Sequence, residues 1–384
     1  MFAAQDRGTR RAGARGLTHD RHGAMARRLR GAAASAVCAA AIAVPLISAA
    51  GAQAATTNPP IYTPLTLING WTNYGSGTAN ASVTSITGIV HFKGAIHTSS
   101  GNTNDVAFVL PPGFRPAKNV VVPVDMCNAT SGELNIAPTG VTEVISQGAN
   151  SNATCFTSLD GASFALSAKS FTALKLQPGW TEFDSLFRKA AARVASGVVY
   201  LEGEIKTKGT NPAAFTLPAA LRPSKSVYVL INLCTGSIGR LDITPGGAVT
   251  VEAEGTGNWW MVKCGVSLEG ASFALSPASF TALTLHNGWM NAPYGTSNAA
   301  VRNISGIVHL KGGIWTNGTN ADPFVLPAGF RPASQVFISV DLCGGNNGRL
   351  IIAPNGVVTV EQQSGDPFSN ATCFTSLDGA SFAV

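Results

Sequence analysis

Three kinds of side chain in this sequence could do chemistry: cysteine pairs, unrepeated tryptophans and recurring charged groups. Cys127 and Cys155, Cys234 and Cys264, and Cys343 and Cys373 stand 28, 30 and 30 residues apart. Each pair holds the same place in a repeated segment, so one disulfide per repeat is expected among the fifteen pairings six cysteines allow. A loop of that size stabilises its domain by roughly 3–4 kcal/mol in the chain-entropy treatment. Zinc would call for CxxC clusters or a repeated histidine. Neither is present, so no metal is expected.

Trp259, Trp260 and Trp315 have no counterparts in the other repeats. Trp259 and Trp260 fall in an inter-cysteine loop and Trp315 at a strand end, where flat aromatic faces can stack on sugar rings. They are the candidate ligand-binding residues. Filling a contact between domains is the plainer role for the tryptophan pair. Trp71, Trp180 and Trp289 recur at a spacing of 109 residues, which suits core packing better. Arg115, Arg222 and Arg331 recur in an Arg-Pro pair and suggest a framework bond, with capture of an acidic ligand as the alternative. Asp125, Asn232 and Asp341 could hold a cation if they converged, but the amide in the second copy weakens that reading. Asp160, Glu269 and Asp378 each precede a glycine, as turn residues do.

Catalytic chemistry finds little support. His91 and His309 are replaced by Tyr200 in the second copy, and neither GxSxG nor HExxH occurs. The recurring carboxylates sit in turns and give no pair facing across a cleft, as a glycosidase needs. A non-enzymatic protein without cofactors is expected.

The elements that must position these groups are strands. GIVHFKGAI, GVVYLEGEI and GIVHLKGGI alternate as half-buried strands do. ELNIAPTGVTEV, RLDITPGGAVTV and RLIIAPNGVVTV place a glycine-containing turn between two apolar runs, the mark of a hairpin. The expected fold is all-β, with three tandem antiparallel β-sandwich or barrel domains over residues 61–166, 171–275 and 280–384. One stretch departs from this pattern. Thr181 to Val194 carries a capping box and helical apolar spacing, and predicts a short helix in the second copy.

Residues 1–54 read as a secretory signal peptide, with Arg27, Arg28 and Arg30 before an Ala-rich apolar run that ends near Ala52-Gln53-Ala54. Residues 55–60 form a short linker. Eight of the 26 Lys+Arg and two of the 20 Asp+Glu precede Ala55, so the remainder carries no net charge. The basic balance therefore belongs to the leader, and nucleic acid is not an expected partner.

LTLINGWTNYG, GIVHFKGAI, FVLPPGFRP, GELNIAPTGVTEV and TSLDGASF, in that order, resemble the C-terminal head modules of bacteriophage tail-fibre and baseplate receptor-binding proteins. The resemblance spans all three copies and implies a compact β head, often trimeric, that adheres to cell-surface saccharide. The chain departs from that family in its export leader, its cysteine pairs and its lack of a fibrous shaft. Three linked copies could form an internal pseudo-trimer instead of an oligomer. The expected protein is secreted and free of the membrane after leader cleavage. Its expected partner is a cell-surface saccharide or an envelope protein, for adhesion in the first case. A structural part of the envelope or of a tail-like particle is the alternative.

Overall fold

A computed structural model describes residues 60–254, 259–275 and 279–384. The segment expected to be a leader, residues 1–54, and all but the last residue of the expected linker lie outside the described residues. Each third of the rest builds the same three antiparallel sheets from its own strands. In the first repeat, a four-stranded sheet runs in the order Thr63–Pro64, Ser82–Ile86, Ile89–Lys93, Ser163–Ala165. A second runs Val106–Val109, Val141–Ser146, Ser131–Ile136, Val120–Asp125. A ribbon of Thr157–Ser158, Ala95–His97 and Thr72–Asn73 joins them. The same orders recur in the second and third repeats, and none of the sheets closes into a barrel.

Each repeat has its own core. In the first, Trp71, Phe92, Phe108, Leu134 and Phe164 lie together between the sheets. The repeated tryptophans are buried there, and their indole N–H groups donate to the backbone oxygens of Asn104, Asn211 and Asn320 at 2.8–3.0 Å. Burial of such a ring with its one donor satisfied explains the recurrence without a ligand. The recurring arginines are framework too. Nε of Arg115, Arg222 and Arg331 donates to the backbone oxygen of Leu110, Leu217 and Leu326. Each side chain also packs on its hairpin glycine (Gly140, Gly247 or Gly356).

The repeats form a closed ring. Asn119 N–H donates to Leu186 O at 3.1 Å, Ser226 N–H to Gly295 O at 3.2 Å, and Gln335 N–H to Gly77 O at 2.9 Å. These bonds link repeat one to two, two to three, and three back to one. Equivalent positions make each bond, so one chain reproduces the symmetry of a trimer. Strands Val120–Asp125, Val227–Asn232 and Val336–Asp341 pack on one another around the axis. A Cβ at Gly161 would lie 2.9 Å from Ile338 of the neighbouring repeat, and one at Gly379 would lie 3.0 Å from Val229. The glycine of each SLDGASF-type motif is thus set by close approach across a seam, at a positive φ of 79–85°.

Two expectations are corrected. The strands expected to be half-buried are buried on both faces, because the face turned from one core meets the next repeat. Ile89, Ala165, Val198 and Tyr200 form a separate apolar cluster there. The helix expected over 181–194 is absent. Trp180–Glu182 and Ala191–Ala195 are strands, and Asp184 accepts from Leu186 N–H in a turn between them. Tertiary pairing overrides the helical pattern: Phe187 bridges to Asn119, Glu182 accepts from Ala190 N–H, and Arg188 enters a buried ion-pair cluster. Short helices form instead at Asn150–Cys155, Trp259–Cys264 and Ser369–Cys373, each ending on a cysteine. The Trp259–Trp260 pair, expected in a loop, therefore begins a helix.

Candidate functional site: a pocket on the second seam

The disulfides join Cys127 to Cys155, Cys234 to Cys264 and Cys343 to Cys373, all within repeats. No disulfide among the described residues crosses a seam, so side-chain contacts, together with the backbone bonds above, hold the seams. Two neighbouring strands supply them, and the pattern is cyclic. Asp125 pairs with Arg349 at 3.2 Å, Asp341 lies 3.5 Å from Arg240, and Asn232 Nδ2 donates to Glu133 Oε2 at 2.8 Å. The position read as a possible cation ligand is thus occupied by a side chain from the adjoining repeat. Where the second repeat has an amide, the first has exchanged arginine for glutamate. Among the described residues no three or more His, Cys, Asp or Glu side chains are grouped as a metal ion would need.

A second charge exchange sits at the ends of strands Ile89–Lys93, Val198–Glu202 and Ile307–Lys311. Asp160 and Asp378 accept from Gly94 and Gly312 N–H, with Lys93 and Lys311 nearby. The second repeat has Glu269 and Glu202 at the corresponding positions, and Arg188, from the loop between strands Trp180–Glu182 and Ala191–Ala195, bonds both. Asp160, Glu269 and Asp378 thus lie in turns, as their spacing before glycine suggests, but they are buried at the seams.

The three seams differ in their aromatic content. Between repeats three and one, the Arg349 guanidinium lies 5.1 Å over Phe337, which meets Phe156 edge-on, and Tyr74 covers Phe156. Between one and two, the corresponding places hold Glu133, Val121 and Gly265, and no such stack forms. Between two and three, Arg240 lies 5.0 Å over Tyr228, Tyr228 meets Phe374 at 5.2 Å, and Phe374 meets Tyr294 at 5.7 Å. Here the rings do not fill the space. Tyr228, Arg240, Tyr294, Cys343, Gly344 and Phe374 enclose a cavity of about 240 Å³.

Tyr294 is the outermost wall. It is 61% exposed, and its φ of 54° puts a bulky residue in the left-handed region. That conformation costs roughly 1–2 kcal/mol for an L-residue, and glycine would avoid most of it. The turn also holds Ala292 at φ 58° around Pro293. Arg240 is held by Glu252 at 2.6 Å as well as by Asp341, which fixes its guanidinium over the Tyr228 ring. Burial pushes the Tyr228 hydroxyl above its ordinary value, so at neutral pH it is a neutral donor and acceptor. The pocket offers three aromatic faces or edges, two phenols and one oriented cation.

The tryptophans singled out by sequence lie elsewhere and apart from one another. Trp259 packs on the core of the second repeat, and its Nε1 donates to Gly209 O at 2.8 Å. Trp260 is 56% exposed beside it. Trp315 is half-buried opposite Met290 in the ribbon of the third repeat. None of them borders the seam cavity. The pocket residues were missed because Tyr228 and Tyr294 belong to different repeats. Their signal was the one that marked the tryptophans: each replaces a different residue type in at least one other copy.

No protein-family profile matches the chain, and no curated protein is similar to it. Among solved structures it is similar to BBS1N, from the crystal structure of BBS1N in complex with ARL6DN soaked with mercury. Identity is 13% and the TM-score 0.12, over 81% of this chain and 94% of that chain. Likeness at that level carries no argument about fold or function.

Proposed function

We propose that the protein is an exported, non-enzymatic carbohydrate-binding adhesin whose principal site is the pocket between the second and third repeats. The observation that carries this reading is the Tyr228–Phe374–Tyr294 stack, left open to a cavity and overlooked by a pinned arginine. Sugar rings present flat C–H faces to aromatic side chains and hydroxyls to fixed donors, and this pocket has both kinds of partner. The strain held at Tyr294 favours a residue kept for contact, since a glycine would serve the turn better. Arg240 is committed to two carboxylates, so the nearest acidic groups are engaged in holding it. Trp260 and Trp315, on other faces of repeats two and three, are further candidate contacts. Three intramolecular disulfides suit an oxidising destination outside the cell, and no helix among the described residues is long and apolar enough to cross a membrane.

Binding to immobilised polysaccharide by the protein and by its Tyr294→Ala form tests the reading. The substitution should weaken binding about tenfold or more, equivalent to ~1.4 kcal/mol. Unchanged retention would remove the pocket from the function, and loss on Trp260→Ala instead would move the site to that face.

A further inference from the structure

The turn that carries Tyr294 has a cavity on each side. Tyr294 borders the aromatic one, while Ala292 and Thr296 line a second of about 440 Å³. Lys225 from repeat two and Phe280 and Lys311 from repeat three are among its other lining residues. The Lys311 ammonium lies 5.4 Å from the Phe280 centroid, and the residue is only 6% exposed. Neither lysine makes a hydrogen bond or ion pair among the described residues. Asp378 acts on Lys311 electrostatically without coming into ion-pair range. A lysine this little exposed, whose ammonium meets a ring face but neither a hydrogen-bond acceptor nor an ion-pair partner, pays a desolvation cost that an incoming anion would offset.

The other seams do not repeat this arrangement. Between repeats one and two, the counterpart of Lys225 is Lys118, whose Nζ donates to Ser185 O at 2.7 Å. The counterpart of Lys311 there is Glu202, bound to Arg188. Between three and one, Lys93 lies over Tyr62, but Ser334 replaces the other lysine. Among the described residues, the seam that also holds the aromatic pocket is the one with a lysine at both positions and neither of them hydrogen-bonded or ion-paired.

We infer that this second cavity is an anion subsite adjoining the first, and that the ligand is an oligosaccharide with an acidic ring. One sugar stacks at Tyr294, and a neighbouring ring lays its apolar face on Phe280 and its carboxylate or sulfate between Lys225 and Lys311. The inference rests on the saccharide reading above, which the test keeps separable. Titration calorimetry would compare an oligouronate, its carboxyl-reduced neutral counterpart and a sulfated oligomer of the same length. At least one acidic ligand should bind about tenfold tighter than the neutral one at low salt, with the advantage shrinking at high salt. The acidic form with that advantage identifies the anion. Lys225→Ala, an exposed position, should remove most of that preference while leaving the neutral ligand's affinity unchanged, and Lys311→Met should do the same if it folds. Tyr294→Ala should weaken both. Equal affinity for acidic and neutral ligands, or a preference that survives Lys225→Ala, overturns the anion subsite and leaves the saccharide reading standing. Failure of all three ligands to bind overturns both.

Discussion

Tyr294 and Gly161 are opposite uses of the same backbone region. At Gly161, φ is 85° and the neighbouring repeat stands where a side chain would go. Gly161→Ala should therefore destabilise the protein by about 1–3 kcal/mol, from positive-φ strain and the clash with Ile338 together. Thermal or denaturant unfolding measures it, and a neutral result would mean the seam yields easily. At Tyr294 the strain is retained with the ring facing solvent. Tyr294→Gly should raise stability by up to about 1 kcal/mol while lowering saccharide affinity about tenfold. Opposite movement of the melting temperature and the affinity is the signature. A loss of both would mark Tyr294 as an ordinary packing residue.

The axial strands carry the most informative departure from the repeat. Arg349–Asp125 and Arg240–Asp341 share one pattern, while Glu133–Asn232 inverts it. Glu133 has no cation partner, accepts from Asn232 and Gly236 N–H, and is pushed up to about 7 by burial. Glu204, on the same seam, is pushed up to about 8 by burial and then by Glu133. A carboxyl whose pKa is higher in the folded than in the unfolded chain binds its proton more tightly when folded. Its contribution is fully present below the unfolded value and is lost as pH rises through the folded one. These two groups should therefore make stability fall between about pH 4.5 and pH 8, and Glu133→Gln should flatten part of the slope. Melting temperatures across that range decide it, and an identical slope in the variant would contradict the assignment. A double-mutant cycle tests the exchange itself. Asn232→Asp alone sets two carboxylates together, and Glu133→Arg alone leaves a cation facing an amide. The double variant restores the pattern of the other seams and should recover at least about 1 kcal/mol relative to additivity; simple additivity would dissolve the pairing.

Strand identity, hairpin turns and the three cystines were legible in the sequence because each rests on local pattern or on position within a repeat. The 181–194 segment was not, since its apolar spacing serves a bridge to Asn119 and its Arg188 serves a buried ion pair, both long-range contacts. The pocket was hidden for the same reason. Its walls come from Tyr228 and Tyr294, and only closure of the ring brings them together. Sequence attention to non-repeated aromatic residues fell on three tryptophans that lie elsewhere, and not on the two tyrosines that wall the cavity.

Taken as a whole, the chain builds from one polypeptide the closed symmetry that separate subunits usually supply. Linking the copies frees each seam to differ, so one is acidic, one is filled with rings and one is open. Because the three repeats already pair with one another around the ring, light scattering should return the mass of a single chain. A stable assembly of three or six chains would show that the repeats pair between molecules instead. The measurement that bears most directly on function is a glycan array probed with the protein and with Tyr294→Ala in parallel. At least one class of glycan should be bound by the protein, with that signal lost in the substituted form. An empty array, or signals that survive the loss of the tyrosine, would contradict a saccharide site at the second seam.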